Sequence, residues 1–363
     1  MTTQRLLVLG IETSCDETAA AVLCFEVGRS QVLSSVVASQ AAEHAPFGGV
    51  VPEIAARAHV EIIDVIVRRA LEEARTELSE LSGIAATAGP GLVGGVMVGL
   101  AFAKAVALAR GLPLLAVNHL EGHALSPRLE ADFAFPYLLL LVSGGHCQLL
   151  SVERPGNCER LGSTLDDAAG EAFDKIGSAL GLSYPAGPAL EALARRGDPA
   201  RFTLPRAMEG RASCDFSFSG LKTAAARLAA DLTSEKDRAD LSAAAQEEIA
   251  RQLADRSSQA MALFAKAHPG KSLRFAVAGG VAANLTVRER LLALAEAKGF
   301  AFAAPARRWC TDNAAMIALA GAEHLALGEE SPLDVPARPR WPLDEAAARL
   351  RPTHIPGRKG AKA

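Results

Sequence analysis

Short apolar runs alternate with polar or glycine-rich turns along this chain of 363 residues. Apolar runs bounded by turn residues predict strands at 6–11 and 19–25, with a polar turn at 12–18 between them. The same arrangement recurs roughly 130 residues later, where predicted strands at 137–142 and 148–152 flank a turn. Each half of the chain is therefore expected to begin with a β-hairpin.

A second unit also occurs twice. It is a strand that runs into glycines and then into a helical stretch, and it is predicted at 84–88 and again at 275–278. Two units repeated in the same order predict an internal duplication. The remaining periodicities predict a strand at 114–117 and helices at 53–75, 166–180, 220–230, 238–267 and 281–298.

Strands that alternate with helices predict an α/β fold, in which each half has a largely parallel or mixed sheet covered on both faces. We expect two lobes, at 1–135 and 136–343, with a nucleotide cleft between them. From Pro332 onward, six prolines exclude long helices and central strands. From residue 336 onward the chain has seven basic and two acidic residues, a local excess of +5, so 344–363 is expected to be a basic, disordered tail.

Composition and charge are those of an ordinary folded protein. With 50% hydrophobic and 22% charged residues, a disordered or collagen-like chain is excluded. The formal net charge is −3, from 38 basic and 41 acidic residues, which gives no general reason to expect a nucleic-acid partner. The charge is uneven, however, because five arginines fall between 195 and 211. Any contact with a polyanion is therefore expected to be local.

The chain has no feature of a secreted or membrane protein. Its six cysteines form no CxxC pair, which argues against a zinc ribbon or redox dithiol and favours reduced thiols. The apolar run at 6–10 is too short for a signal peptide, and the run at 92–103 is too short to span a bilayer. A soluble, cytoplasmic protein is expected.

Two histidines at helical spacing are the best candidates for metal ligands. His119 and His123 lie four residues apart, directly after a predicted strand, so both imidazoles would face one divalent ion. Glu121, between them, would point elsewhere. Asp312 is the best candidate for a third ligand, although it could instead cap the helix that follows. The alternative for the histidines is that both are merely polar surface or capping residues.

Glycine turns and a group of carboxylates are candidates for nucleotide contacts. The strand and turn Leu141, Val142, Ser143, Gly144 and Gly145 would expose backbone N–H groups to phosphate oxygens. Gly279 and Gly280, which precede Asn284, resemble an anion-binding helix start, and neither turn matches the P-loop pattern.

The carboxylates Asp167, Glu171 and Asp174 would share one face of a predicted helix. That face could be merely solvated, or it could contact a metal, a ribose or an amine. Glu12, Asp16 and Glu17 pose the same question in the first half of the chain.

These motifs together resemble the TsaD family of tRNA N6-adenosine threonylcarbamoyltransferases, once called O-sialoglycoprotein endopeptidases. The matching blocks occur in family order between about residues 6 and 343. They are 12–18 (ETSCDET), 48–53 (GGVVPE), 87–92 (TAGPGL), 119–123 (HLEGH), 141–145 (LVSGG), 166–175 (DDAAGEAFDK), 216–223 (FSFSGLKT), 279–284 (GGVAAN), 310–313 (CTDN) and 338–343 (RPRWPL).

The resemblance implies a duplicated actin-like and Hsp70-like (ASKHA) ATPase fold and a mononuclear metal site. That metal is iron or zinc, held by His119, His123 and Asp312. The implied site for ATP, AMP or threonylcarbamoyl-AMP comprises Leu141, Val142, Ser143, Gly144, Gly145, Asp174, Gly187 and Asn284. One departure is Ala186, which stands where the family often has glycine.

The resemblance also implies a reaction and partners. The reaction transfers a threonylcarbamoyl group from threonylcarbamoyl-AMP to N6 of the adenosine 3′ of the anticodon, in tRNAs that read ANN codons. The implied partners are tRNA, a paralogous TsaB-like protein, a TsaE-like P-loop ATPase and an upstream threonylcarbamoyl-AMP synthase, with no membrane. The helix at 53–75 is the candidate partner interface. The alternatives are a metallopeptidase, or a chaperone-like ATP-binding regulatory module, since the fold alone does not specify chemistry.

Overall fold

A computed structural model describes residues 5–47 and 49–350. The described strands are β1 (Leu6–Glu12), β2 (Glu17–Glu26), β3 (Arg29–Ser39), β4 (Gly83–Gly89), β5 (Leu114–Asn118), β6 (Tyr137–Val142), β7 (Cys147–Arg154), β8 (Asn157–Ser163), β9 (Arg274–Ala278) and β10 (Ala301–Ala303). The α-helices are α1 (Ala41–His44), α2 (Pro52–Ala74), α3 (Val93–Arg110), α4 (His119–Leu125), α5 (Ala169–Ala179), α6 (Gly187–Ala194), α7 (Ser219–Ala230), α8 (Glu235–Ala267), α9 (Leu285–Ala297), α10 (Ala314–Ala326) and α11 (Glu345–Leu350).

The chain divides into two compact units. Among the described residues, unit 1 comprises 5–47, 49–134, 154–157 and 311–345, and unit 2 comprises 135–153, 158–310 and 346–350. In unit 1 the sheet order is β3-β2-β1-β4-β5, with antiparallel pairing from β3 to β1 and parallel pairing from β1 to β5. Helices α2, α3 and α10 pack on this sheet, and its core contains Leu9, Ile11 and Ile84. The carboxyl ends of the parallel strands therefore meet at one edge of unit 1.

Unit 2 has the same strand order. Its sheet runs β10-β9-β6-β7-β8, with β6 antiparallel to β7 and parallel to β9. Strands β6 to β10 correspond in chain order to β1 to β5. Read from β8 to β10, the unit 2 sheet therefore has the same order as the unit 1 sheet read from β3 to β5. Phe216, Phe218 and Phe275 are fully buried in its core. The α/β fold class and the internal duplication predicted from the sequence are thus confirmed.

The structure assigns residues 311–345 differently from the linear lobes expected from the sequence. The first boundary, at 134/135, lies one residue from the expected one, but the chain then returns to unit 1. The reason is packing: α10 lies against β1 and β4. Gly10 permits this approach, because a Cβ there would lie 2.3 Å from the Ala314 carbonyl oxygen.

The proline-rich segment 331–341 is irregular, as predicted, and follows the edge of the unit 1 sheet. Ser331 forms an antiparallel bridge with Leu114, and the Arg338 N–H donates to the Ala88 carbonyl. Part of the expected tail is ordered as the short helix α11, and the rest, at 351–363, lies outside the described residues.

Helix α3 is the one helix among the described residues that is long and apolar enough to cross a bilayer by length and composition alone. It is longer than the apolar run expected at 92–103, because the helix continues past Lys104 to Arg110. In the structure α3 contacts α2, β1 and β4 within unit 1. That position is typical of a helix packed on the core of its own domain.

Candidate metal centre

Helix α4 begins where β5 ends, and its first residue is His119. The Asn118 side chain caps the helix by accepting a hydrogen bond from the Leu120 N–H at 2.9 Å. This cap fixes the first turn, so His119 and His123 lie on one helix face with their ring centroids 4.8 Å apart. Both side chains are buried, so they are not the polar surface residues of the alternative interpretation.

Asp312 is brought to this pair by helix α10. Its Oδ1 atom lies 3.0 Å from Nε2 of His123 and 3.5 Å from Nε2 of His119. The three candidate ligand atoms all lie within 4.8 Å of one another. The N-cap of α10 is Asn313, which accepts from the Met316 N–H, so Asp312 does not have the capping role. The structure therefore brings together all three residues proposed from the sequence.

The other ring nitrogen of His119 is held by Glu12. Its Nδ1 lies 2.8 Å from Oε2 of Glu12 and 3.1 Å from the Ser14 hydroxyl. Glu12 is fully buried and also accepts from the Thr87 hydroxyl and the Ser14 N–H, each at 2.5 Å. A carboxylate that binds the outer nitrogen of a histidine orients the ring and selects its tautomer. The sequence raised Glu12 only as an open question, and it gave no sign of Thr87.

The electrostatics of this cluster favour a cation. Burial would raise the pKa of Glu12, but the hydrogen bond and charge of a protonated His119 outweigh it and lower that pKa. The carboxylate form of Glu12 also suits a neutral ring, provided that the ring donates to it. Because a carboxylate only accepts, the proton of a neutral His119 sits on Nδ1, and its Nε2 lone pair then faces the Asp312 carboxylate. Burial and the charges of Asp312 and Asp16 raise the pKa of Glu17 to about 9, as expected where negative charge accumulates.

A proton or a metal ion between Nε2 of His119 and Asp312 would remove the repulsion between the nitrogen lone pair and the carboxylate. Without a metal, burial disfavours the charged ring, but Glu12 and Asp312 raise the pKa of His119 to about 9. With a metal, the two imidazole nitrogens and one carboxylate oxygen match the donor set that zinc and iron use in proteins.

Glu121 faces away from the cluster, as predicted. Its carboxylate lies 3.0 Å from Nε2 of His324 and accepts from the Gly156 N–H at 2.6 Å. A metallopeptidase of the HExxH type needs a glutamate directly after the first histidine, and Leu120 holds that place. The site geometry thus gives no support to the peptidase alternative.

The residues proposed for nucleotide contacts all lie in unit 2. Leu141 and Val142 are buried at the end of β6, and Ser143, Gly144 and Gly145 form the turn to β7. Gly144 and Gly145 are exposed, and a Cβ at either would meet no atom within 4 Å. The turn is open to a ligand.

Asp174 and Gly187 are joined by a hydrogen bond. Oδ1 of Asp174 accepts from the N–H groups of Ala186 at 2.8 Å and Gly187 at 3.3 Å, at the start of α6. Burial raises the pKa of Asp174, and these two N–H groups partly offset that rise. Ala186 has φ −85°, so alanine fits here without strain.

Asn284 caps α9. Its Oδ1 accepts from the Val287 N–H at 3.0 Å, and its Nδ2 donates to Oε1 of Gln246 at 2.8 Å. One N–H of the Asn284 amide therefore remains for a ligand. Gln246 was not proposed from the sequence, because nothing in its local pattern separates it from other polar residues of α8.

The prediction that Asp167, Glu171 and Asp174 share one helix face is wrong in part. Helix α5 begins at Ala169, so Asp166 and Asp167 precede it. Asp166 accepts from Ser217, Phe218 and Ser219, whereas Asp167 pairs with Lys175 and Lys222. Local hydrogen bonding to backbone N–H groups competes with helix formation at aspartates.

The chain consists of two α/β units that share one strand order, and this duplicated architecture defines its fold class. One of the units carries the His-His-Asp cluster. The match to the solved structure of HypF from T. kodakarensis covers 90% of this chain and 48% of the HypF chain, with 15% identity and a TM-score of 0.57. A second HypF structure, in the phosphate- and nucleotide-bound form, covers 91% of this chain with a TM-score of 0.55 and 12% identity. At such identities these likenesses show the fold alone, which is that of the ASKHA ATPases.

The sequence comparisons then identify the family. The family model for TsaD, tRNA N6-adenosine threonylcarbamoyltransferase, matches residues 31–319. The protein of that name from Caulobacter vibrioides is 66% identical over 99% of this chain and 98% of its own length. The one from Maricaulis maris is 58% identical over 99% and 97%. The chain belongs to the TsaD family, and it is an acyltransferase that modifies adenosine N6 in tRNA.

Proposed function

We propose that the chain transfers the threonylcarbamoyl group from threonylcarbamoyl-AMP to N6 of the adenosine 3′ of the anticodon, in tRNAs that read ANN codons. In this proposal one divalent metal, iron or zinc, is held by His119, His123 and Asp312. The observation that carries it is the convergence of two imidazole Nε2 atoms on one oxygen of Asp312, with the first imidazole bound from behind by Glu12.

The two nitrogen–oxygen distances fit one small ion. Two ligands about 2.0–2.1 Å from a tetrahedral ion lie about 3.3 Å apart. The His–Asp separations, 3.0 and 3.5 Å, bracket that value, while the whole set spans up to 4.8 Å, so binding would draw the two imidazoles closer together. Three protein ligands leave one position for substrate, as in catalytic rather than structural sites. A bound metal would act there as a Lewis acid toward the phosphate or carbonyl oxygens of the acyl donor.

The chain's own residues do the rest by binding and positioning. The exposed N–H groups of Gly144 and Gly145 suit the acyl-phosphate, and Asp174 and Asn284 suit the ribose and adenine end. The adenosine amine is a weak nucleophile, because its lone pair is conjugated with the ring. Holding donor and amine in line is then the largest contribution, on the order of 7–11 kcal/mol.

The test uses His119→Ala, with His268→Ala in unit 2 as the matched control. The proteins are incubated with threonylcarbamoyl-AMP, unmodified tRNA and the partner proteins, and modified adenosine is measured by mass spectrometry. Loss of the product together with bound metal in His119→Ala alone is the expected result. Full activity in His119→Ala would remove the metal from the mechanism.

We further propose that the partner interface lies on unit 1, where α2 and α3 form an apolar groove of about 670 Å3. Val60 and Met97, on its rim, are 63% and 57% exposed. The occupant is the TsaB-like paralogue, since a protein with the same fold presents an equivalent pair of helices and can pack on this pair almost symmetrically. The TsaE-like ATPase would join that complex, and the synthase supplies the acyl donor.

The interface test is a charge placed in the groove. Met97→Glu should abolish complex formation with the paralogue in size-exclusion chromatography. Leu263→Glu, at a residue of unit 2 that is 49% exposed, should leave the complex intact. Equal binding by both variants would exclude the groove as the interface.

We propose that tRNA binding is local and shared with the partners, in the cytoplasm. Of the five clustered arginines, three pair with carboxylates: Arg195 with Glu191, Arg201 with Asp237 and Arg206 with Glu248. The other two, Arg196 and Arg211, are exposed. The cluster is thus much less positive than its sequence indicates, which favours a shared binding surface.

A further inference from the structure

We propose that Glu121 and His324 form a positioning pair, which holds the helix that carries two metal ligands in register with the helix that follows the third. This inference rests on the proposed metal site. It assigns a role to the buried glutamate between the two histidines, which makes no contact with the proposed ligands.

The pair is built from a buried charge with a complete set of partners. Glu121 is 6% exposed, and both of its carboxylate oxygens lie 3.0 Å from Nε2 of His324. Nδ1 of His324 lies 2.6 Å from Glu329. Both ring nitrogens of His324 therefore face carboxylates, which only accept, so the ring donates from both sides as an imidazolium. The Gly156 N–H supplies a further hydrogen bond to Glu121.

The two helices that this pair joins determine the positions of all three proposed ligands. Helix α4 carries His119 and His123, and α10 begins two residues after Asp312. His324 lies near the opposite end of α10, about 15 Å along the helix from its first turn. A contact there, added to those at the ligands themselves, restrains both sliding and rotation of α4 against α10.

Close packing between the helices supports this interpretation. A Cβ at Gly122 would lie 2.8 Å from the Ile317 side chain and 3.1 Å from that of Met316, so α4 and α10 approach closely. His123 also depends on the placement of α4 more than His119 does. Its Nδ1 is buried and has no hydrogen-bond partner among the described residues, whereas Nδ1 of His119 is held by Glu12.

A second ion pair between the same regions provides the matched control. Nη2 of Arg128, just after α4, lies 2.7 Å from Oε1 of Glu323 on α10, and both side chains are 11% exposed. This pair has similar burial and joins similar elements, but it does not lie between the two ligand histidines. A general contribution to stability should appear at both pairs, whereas a positioning role for the metal should appear only at Glu121 and His324.

The experiment measures Zn2+ affinity of the full chain by competition with a chromophoric chelator, with thermal stability measured in parallel. Glu121→Leu and His324→Leu should weaken Zn2+ binding by about 10-fold, at the low end of the losses caused by removing partners bonded directly to ligands, because this pair acts only through the helices. Glu323→Leu should lower the melting temperature by a similar amount but leave the affinity unchanged. Glu121→Gln retains an acceptor for the Gly156 N–H, so it should bind Zn2+ more tightly than Glu121→Leu and less tightly than wild type. It also allows the affinity to be measured if the leucine variants do not fold.

Three outcomes are distinguishable. If wild type binds Zn2+, His119→Ala does not, and Glu121→Leu binds as tightly as wild type, the positioning role is overturned and the metal site stands. Equal affinity losses in Glu121→Leu and Glu323→Leu would also overturn it. If wild type binds neither Zn2+ nor Fe2+, the proposed metal site fails, and the positioning role fails with it.

Discussion

The candidate metal centre of unit 1 and the candidate nucleotide residues of unit 2 are held in different ways. In unit 1 the side chains bond to one another: Glu12 to His119, and His123 to Asp312, whose Oδ1 also lies 3.5 Å from Nε2 of His119. In unit 2 the side chains bond mainly to backbone N–H groups at helix starts, as Asp174 does at α6 and Asn284 at α9. One site is a cluster of side chains bonded to one another, and the other is a frame of side chains bonded to backbone N–H groups.

This difference shows which polar groups of each site still lack a partner. Oδ1 of Asp174 and Oδ1 of Asn284 already have their donors, so these two atoms are satisfied without a ligand, and the frame would recognise one with its remaining polar groups. In unit 1 an ionised Glu12 fixes the proton of His119, which leaves the Nε2 lone pair facing another carboxylate. That cluster needs a cation, so disturbing its charges should have larger effects than disturbing the frame.

The largest effect is expected from Glu12→Gln. The amide keeps the size of the side chain but removes the negative charge that orients His119. Metal affinity and modification rate should both fall by about 10- to 100-fold, as for other outer-shell partners of ligand histidines. Metal content and tRNA product are the measurements, and Thr87→Val, which removes only one donor to Glu12, should have a smaller effect. Unchanged metal affinity in Glu12→Gln would contradict the charge-cluster description of unit 1.

A smaller effect is expected from Asn284→Ala. It removes the cap of α9, worth about 1 kcal/mol, and the amide N–H proposed for the nucleotide. The affinity for an AMP analogue should fall by about 10-fold, measured by calorimetry. Ser234→Ala removes the cap of α8, where Ser234 accepts from the Asp237 N–H, and should cost similar stability without changing nucleotide affinity. Equal affinity in the two variants would show that Asn284 is only a helix cap.

The same contrast explains what could be predicted from the sequence. His119 and His123 were predicted because their spacing is a local property of one helix. Asp312 was predicted as a ligand, but its approach to them depends on α10 packing across β1 and β4, which requires glycine at position 10 of β1 and at position 321 of α10. Such close approaches join residues far apart in the chain and leave no periodic signal.

Other features of the fold were missed for related reasons. Strand β3 mixes serines with pairs of adjacent apolar residues and was not predicted, since its partly exposed edge position does not demand regular alternation. The return of 311–345 to unit 1 was not predicted, because a boundary drawn along the chain cannot represent a segment that crosses back. The glycine turn at 141–145, Asp174 and Asn284 were only candidates until the family resemblance assigned them to the nucleotide and added Gly187. Such turns and capping polar residues are common in every α/β protein.

The smallest effect concerns pH and comes from the ion pair of His324 in unit 1. Burial would lower the pKa of His324, but Glu121 and Glu329 raise it to about 9 from an ordinary 6.5. A raised folded-state pKa gives stability that is complete below about 6.5 and is lost as pH rises through 9. Because Glu329 is half exposed and its share is screened, we expect about 1 kcal/mol. Urea unfolding should therefore show His324→Gln less stable than wild type at pH 6 and closer to it at pH 9.5, since groups common to both proteins cancel. A stability difference that is the same at both pH values would mean that His324 carries no charge in the folded protein.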